Sequence, residues 1–219
     1  MKKVLFSIAT VLAMISLAAC GGEKKENTET GDAQEAALRA ENDTELDVDL
    51  VASHIAWEGT KIGGAHHGTI ALQSAQLSGN PETKTIGSGS FVIDMNSIEC
   101  QDLTDAATNK MLVDHLKSAD FFDVEKYPIS TFEIVSAERI ADSNRYTITG
   151  NLTMKETTNS IKFEAQVTEN EGAYTAVSDT IRLDRTLWGV NYGSKNIFKD
   201  LKDNIIDDQM SLVVTIVAY

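Results

Sequence analysis

The chain has 219 residues, and its strand-like apolar runs spread over about 160 of them, which fits one barrel-sized or sandwich-sized domain better than two. Acidic residues outnumber lysine and arginine 33 to 19, a net charge of −14. No window collects the basic side chains that neutralise a phosphate backbone or an anionic bilayer surface, which argues against nucleic acid as a partner.

At the N-terminus Lys2 and Lys3 precede an apolar run from Val4 to Ala19 that is too short to span a bilayer with margin. It ends in Leu17, Ala18, Ala19 and Cys20, followed by Gly21. The pattern reads as a secretory signal over residues 1–19 closing in a lipobox, and it resembles bacterial lipoprotein signals. That resemblance implies cleavage before Cys20, acylation of Cys20 and membrane attachment through it; an ordinary signal cut after Ala19 is the alternative. Each buried acyl methylene contributes about 0.8 kcal/mol, so two lipid signals suffice for stable anchoring without a spanning helix. Gly21 and Gly22 lack the aspartate that retains some lipoproteins in the inner membrane, which points to a bacterial envelope address at the outer membrane, with the domain in the periplasm. With Cys20 acylated, Cys100 has no intramolecular disulfide partner and reads as a small buried residue rather than a nucleophile.

Residues 20–46 read as the acylated cysteine and a flexible acidic tether, because Glu, Lys, Asn, Thr and Ala dominate and no aromatic residue is available to bury. About 26 such residues give an r.m.s. reach of roughly 30 Å. From residue 47 the apolar pattern has period two: Ile55 and Trp57, then Phe91, Ile93 and Met95, then Phe132 and Ile134. It continues through Tyr146, Ile148 and Leu152, through Ile161, Phe163 and Ala165, through Ile181 and Leu183, and through Met210, Leu212, Val214 and Ile216. Seven to nine such strands with hairpin-spaced turn signals predict a mainly β domain over residues 47–219, a single antiparallel barrel of about eight strands, since closure removes exposed edges. One short amphipathic helix is predicted between Thr104 and Ser118, with Met111, Leu112, Val113 and Leu116 as its apolar side and Asp102 and Thr104 as capping residues.

Four segments carry a family resemblance: HLKSADFFDVEKYPISTF from His115, GNLTMKETTNSIKF from Gly150, DRTLWGVNYGS from Asp184 and IIDDQMSLVVTIVA from Ile205. Their order and spacing are similar to the YceI-like, polyisoprenoid-binding family. The resemblance implies a lipocalin-like barrel with an elongated cavity for isoprenoid or fatty-acyl chains. It departs at Glu156, where a glycine often follows the lysine, and at Lys61, Gly63, Gly64, His66, His67 and Gly68. Those departures bear on which ligand is bound.

The expected cavity lining is Trp57, Phe91, Ile93, Met95, Phe132, Ile134, Phe163 and Trp188, if the aromatic face of each strand points inward. An eight-stranded barrel can hold a ligand or be filled by its own side chains, and both readings stand at this point. Arg185 and Tyr192 are candidate headgroup contacts, since guanidinium pairs well with phosphate and carbonyl oxygens. His66 and His67 are adjacent, so on a strand they point to opposite faces, and no tight ligand spacing joins them to His54 or His115; neither a metal nor a cofactor is expected. No nucleophile elbow, phosphate loop or zinc-hydrolase motif occurs, and Asp207 with Asp208 reads as a turn. The expected function is therefore that of an envelope lipoprotein and not an enzyme: a carrier or reservoir for a polyisoprenoid, quinone or fatty-acyl lipid. A ligand-free envelope scaffold is the alternative, and an enzyme using His54, His66 or His115 as base is a third reading. A homodimer is compatible with the chain.

Overall fold

The computed structural model describes residues 27–80, 82–83, 85–199 and 205–219. The signal over 1–19 and the acylation site Cys20 lie outside the described residues. In chain order the strands are β1 (Glu29–Asp32), β2 (Thr44–Leu46), β3 (His54–Lys61), β4 (Gly64–Asn80), β5 (Thr85–Asp94), β6 (Glu99–Cys100), β7 (Ile129–Arg139), β8 (Arg145–Met154), β9 (Thr157–Asn170), β10 (Ala173–Ser178), β11 (Ile181–Asp184) and β12 (Ile206–Ala218). One α-helix, α1 (Ala106–Lys117), stands between β6 and β7, and short 3-10 turns cover Met95–Ser97 and Arg185–Trp188.

Eight of the strands close on themselves in the order β9-β10-β12-β3-β4-β5-β7-β8, with β8 pairing back to β9 and every pairing antiparallel. This is the predicted barrel. Alternation puts Tyr146, Ile148, Leu152 and Met154 of β8 inside, and the same parity buries Phe91 and Ile93 on β5. Cores that start on these residues meet around Phe132, Phe163, Leu212 and Val214.

Two strands go beyond the alternating pattern. β4 runs 17 residues through Gly, His, Ala and Ser, and register shifts at Leu72/Ser74 and Leu77/Gly79 re-aim its side chains. β10 pairs β9 as well as β12, whereas its continuation β11 pairs only β12. The chain therefore bends between Ser178 and Ile181, and a seam opens beside residues 159–162 of β9.

The N-terminal segment fills that seam. β1 pairs Glu29 with Lys162 through Asp32 with Asn159, and the Thr28 amide donates to the Arg182 carbonyl at 2.9 Å. Gln34 exchanges two hydrogen bonds with the buried Asn151 amide on β8, at 2.9 and 2.7 Å. The Ala37 amide then reaches the Ile134 carbonyl of β7 at 2.8 Å, where a bulge frees that oxygen, and β2 pairs β4. Residues 28–46, read from composition as a flexible tether, are thus a strap around the barrel wall. Low apolar content does not keep this segment from ordering, because backbone pairing and polar side chains hold the strap without any apolar surface of its own.

α1 lies within the predicted helical span, but its cap is Asp105, whose carboxylate accepts from the Thr108 amide at 2.9 Å. Asp102 instead accepts from the His67 amide at 3.0 Å and from His66 Nδ1 at 2.8 Å. Asn109 on α1 donates to the carbonyls of Cys100 and Leu103 at 2.8 and 3.0 Å, fastening the helix beside β6. Among the described residues no helix is long and apolar enough to cross a membrane.

Candidate functional site

Three cavities follow one another through the barrel, each sharing wall residues with the next. The first, about 370 Å³, opens under α1 and is walled by Trp57, Met95, Leu112, Leu116, Phe122 and Met210, among others. The second, about 130 Å³, sits at the waist among Phe91, Phe132, Ile134, Ile148, Phe163 and Val214. The third, about 380 Å³, occupies the far end between Leu46, Leu77, Tyr146, Val167, Tyr174 and Ile216. Ile55, Ile93, Leu152 and Leu212 belong to both the first and the second wall, and Leu77, Ile86, Val167, Ala176 and Ile216 to both the second and the third. The two end cavities fall within the roughly 300–1,000 Å³ of small-molecule sites.

Seven of the eight expected lining residues face these cavities: Trp57 and Met95 the mouth, Phe91, Phe132, Ile134 and Phe163 the waist, and Ile93 both. Trp188 does not. It is 1% exposed, packs with Leu152, Met154, Ile161, Ile181 and Leu183, and donates its indole N–H to the Leu152 carbonyl at 2.9 Å. The turn that carries it ends at Gly189 with φ of +73°, and the ring is spent on core packing rather than on cavity surface. An aromatic next to a glycine looks the same in sequence whether it faces a cavity or a wall.

Arg185 and Tyr192 both reach the mouth, with different standing. Arg185 is buried and donates through Nε to the Asp207 carbonyl at 3.0 Å, and through its two terminal nitrogens to Val190 and Ile206 carbonyls at 2.6 and 3.3 Å. Asp208 stands 3.7 Å away, so the guanidinium knits the start of β12 to the 185–190 turn. Burial pulls its pKa down, and Asp208 opposes that shift. Tyr192 meets His115 edge-on at 4.7 Å and Phe121 at 5.3 Å between ring centres, a small aromatic cluster at the entrance.

Of the histidines, His66 and His115 border the mouth, while His67 and His54 are outside it. Asp102, which also takes the Cys100 thiol at 3.3 Å, is held well below the ordinary carboxylate value by the His67 amide and by His66. Cys100 is buried, as its size suggested. No group of three or more His, Cys, Asp or Glu with metal-site geometry occurs among the described residues. Lining residues that alternation missed are Ile70 and Leu72 on β4 and Ala176 on β10, strands whose small and polar residues hide their parity.

The family model for the YceI-like domain matches residues 46–218. The chain belongs to the YceI-like family. Among solved structures, Burkholderia cenocepacia BcnA is similar at 27% identity and a TM-score of 0.62, covering 79% of this chain and 100% of that one. A polyisoprenoid binding domain from Saccharophagus degradans, implicated in plant cell wall breakdown, shares the fold at 11% identity and a TM-score of 0.58, over 80% of this chain and 97% of that one. A UPF0312 protein of Pectobacterium atrosepticum is 43% identical over 53 residues, which is 24% of this chain and 27% of that protein, so the match spans about a quarter of the curated relative. Within this YceI-like chain, β1 and most of the strap precede the matched region. Glu156, the departure noted in the β8–β9 turn, accepts from Lys126 at 2.8 Å and from the Tyr127 hydroxyl. The positive φ in that turn belongs to Lys155, so position 156 does not require glycine.

Proposed function

We propose that this YceI-like barrel binds one long hydrophobic lipid, a polyisoprenoid, quinone or fatty-acyl derivative, with its chain along the three successive cavities and its head at the mouth. The single observation that carries this reading is that the cavities share walls from one end of the barrel to the other and that those walls are mostly apolar, wholly so at the waist. Burying ten to fifteen methylene-sized units contributes roughly 8 to 12 kcal/mol before association costs, so few polar contacts are needed. The polyisoprenoid-binding neighbour of the same fold supports the choice of ligand class. The protein then acts as a carrier or reservoir at the bacterial envelope, tethered by acylated Cys20, and performs no chemistry on its cargo.

Trp57 gives the test, since it is the tryptophan in the mouth while Trp188 is sealed in the wall. Titration with a long-chain quinone, which quenches nearby indole, should remove Trp57 emission saturably at one quinone per barrel. Emission that falls only in proportion to bulk quinone would mean an unoccupied interior and would favour the scaffold reading.

A further inference from the structure

The mouth distinguishes between lipid heads. Its rim includes the acidic residues Glu58 and Asp207, both exposed, with Asp208 paired to Arg185 and Asp102 paired to His66 behind it. Against these stand Lys61, exposed at the rim, Arg185, and Lys155, whose ammonium is committed to the Phe121 and Gly189 carbonyls at 3.1 and 3.5 Å. Three of the five N–H groups of Arg185 are bound to main-chain carbonyls, and its charge is already opposed by Asp208. A diphosphate entering here meets exposed carboxylates at the rim and cations whose donors are largely committed to main-chain carbonyls, in a chain of net charge −14, and such like-charge juxtaposition disfavours it.

One polar group of this wall has no partner among the described residues. The Gln209 side-chain oxygen is buried and makes no hydrogen bond among the described residues. Buried polar atoms are nearly always satisfied, and an orphan of this kind asks for a ligand atom or water. A primary amide offers one acceptor and one donor side, so whichever way it is turned it matches a hydroxyl, which both donates and accepts.

We propose that the mouth selects an uncharged lipid alcohol, such as a prenol or the reduced hydroxyl form of a quinone, over its phosphorylated counterpart, with the hydroxyl placed at Gln209. This rests on the lipid-binding reading above and names its headgroup. The Tyr192, His115 and Phe121 rings border the same entrance and give an uncharged head an aromatic surface to lie against.

The test is a native mass-spectrometric competition between a prenol and the prenyl diphosphate of equal chain length, at low and at moderate salt. The prenol adduct should dominate by about tenfold or more, and the margin should shrink as salt screens the carboxylates. A second comparison sets the prenol against its methyl ether, which keeps the chain and lacks the donor. Gln209→Leu should abolish the preference for the alcohol, with the thermal midpoint recorded to show that the variant is folded. A diphosphate that binds as tightly as the prenol, or an alcohol-to-ether ratio unchanged in Gln209→Leu, overturns this proposal and leaves the lipid-binding reading intact. Binding of none of the three contradicts the lipid-binding reading itself and this proposal with it.

Discussion

At the scale of single residues, two polar side chains near the mouth do structural work that their positions in sequence did not announce. Arg185, a headgroup candidate by residue type, does border the cavity, yet three of its N–H groups serve carbonyls of the chain itself. Removing it leaves Asp208 buried without its counter-charge, so Arg185→Ala should cost about 3–5 kcal/mol of folding free energy, read by chemical denaturation. Unchanged stability with a selective loss of phosphorylated lipid would instead make it a headgroup ligand. Asp102, which the sequence offers as a helix cap, joins β4 to β6 through His66, His67 and Cys100. Its folded pKa lies below the ordinary 3.8, so its ionised form contributes stability that is fully present above that value and is lost as pH falls through the lower folded one. Asp102→Asn should therefore lower the unfolding midpoint at neutral pH, and the gap to wild type should close only in strongly acidic solution. A gap that is constant with pH would assign the effect to packing. Neither role was legible, because a lone Arg or Asp in a polar stretch carries no signature of its partners.

At the scale of elements, alternation found the strands whose inner face is large and apolar, such as β8 and β12, and missed those whose inner face is small or interrupted. In β4 the parity changes at its bulges, and Ile70 with Leu72 are the only aliphatic pair before Leu77. The strap is the other omission. Chains that lack apolar residues are read as disordered because they cannot bury enough surface to offset their ordering entropy, but a ready-made strand edge supplies hydrogen bonds instead. Residues 159–162 of β9 offer that edge, since β11 has bent away to β12. Deleting residues 27–43 should raise amide exchange in 159–162 and lower the thermal midpoint, because Asn151 loses both bonds to Gln34. Unaltered exchange there would show that β1 does not close the seam in solution. Gly31 and Ser160 are opposite each other across the same pair, and the free space between them is narrow, which is consistent with a tightly laid strap.

At the scale of the whole molecule, the barrel is legible because most of its strands obey one rule, one face in and one face out, and because turn residues stand at hairpin spacing. Whether its interior is filled or open was not legible, since the same aromatic and aliphatic residues serve either purpose. The structure resolves this by geometry: the side chains of Phe91, Phe132 and Phe163 crowd the waist, at 5.9 and 6.4 Å between ring centres, while larger spaces remain at both ends. A chain-like ligand fits that profile better than a compact one, because the waist leaves only about 130 Å³ beside these rings, room for a narrow chain and not for a bulky ring system.

The most direct measurement of that account is native mass spectrometry of the protein produced with a periplasmic signal, retaining residues 27–219, with the released species identified after denaturation. One prenyl or acyl lipid per barrel is the predicted result. A protein that arrives without lipid, and stays without lipid after incubation with long-chain prenyl and acyl compounds, would contradict the account and leave the barrel as a scaffold.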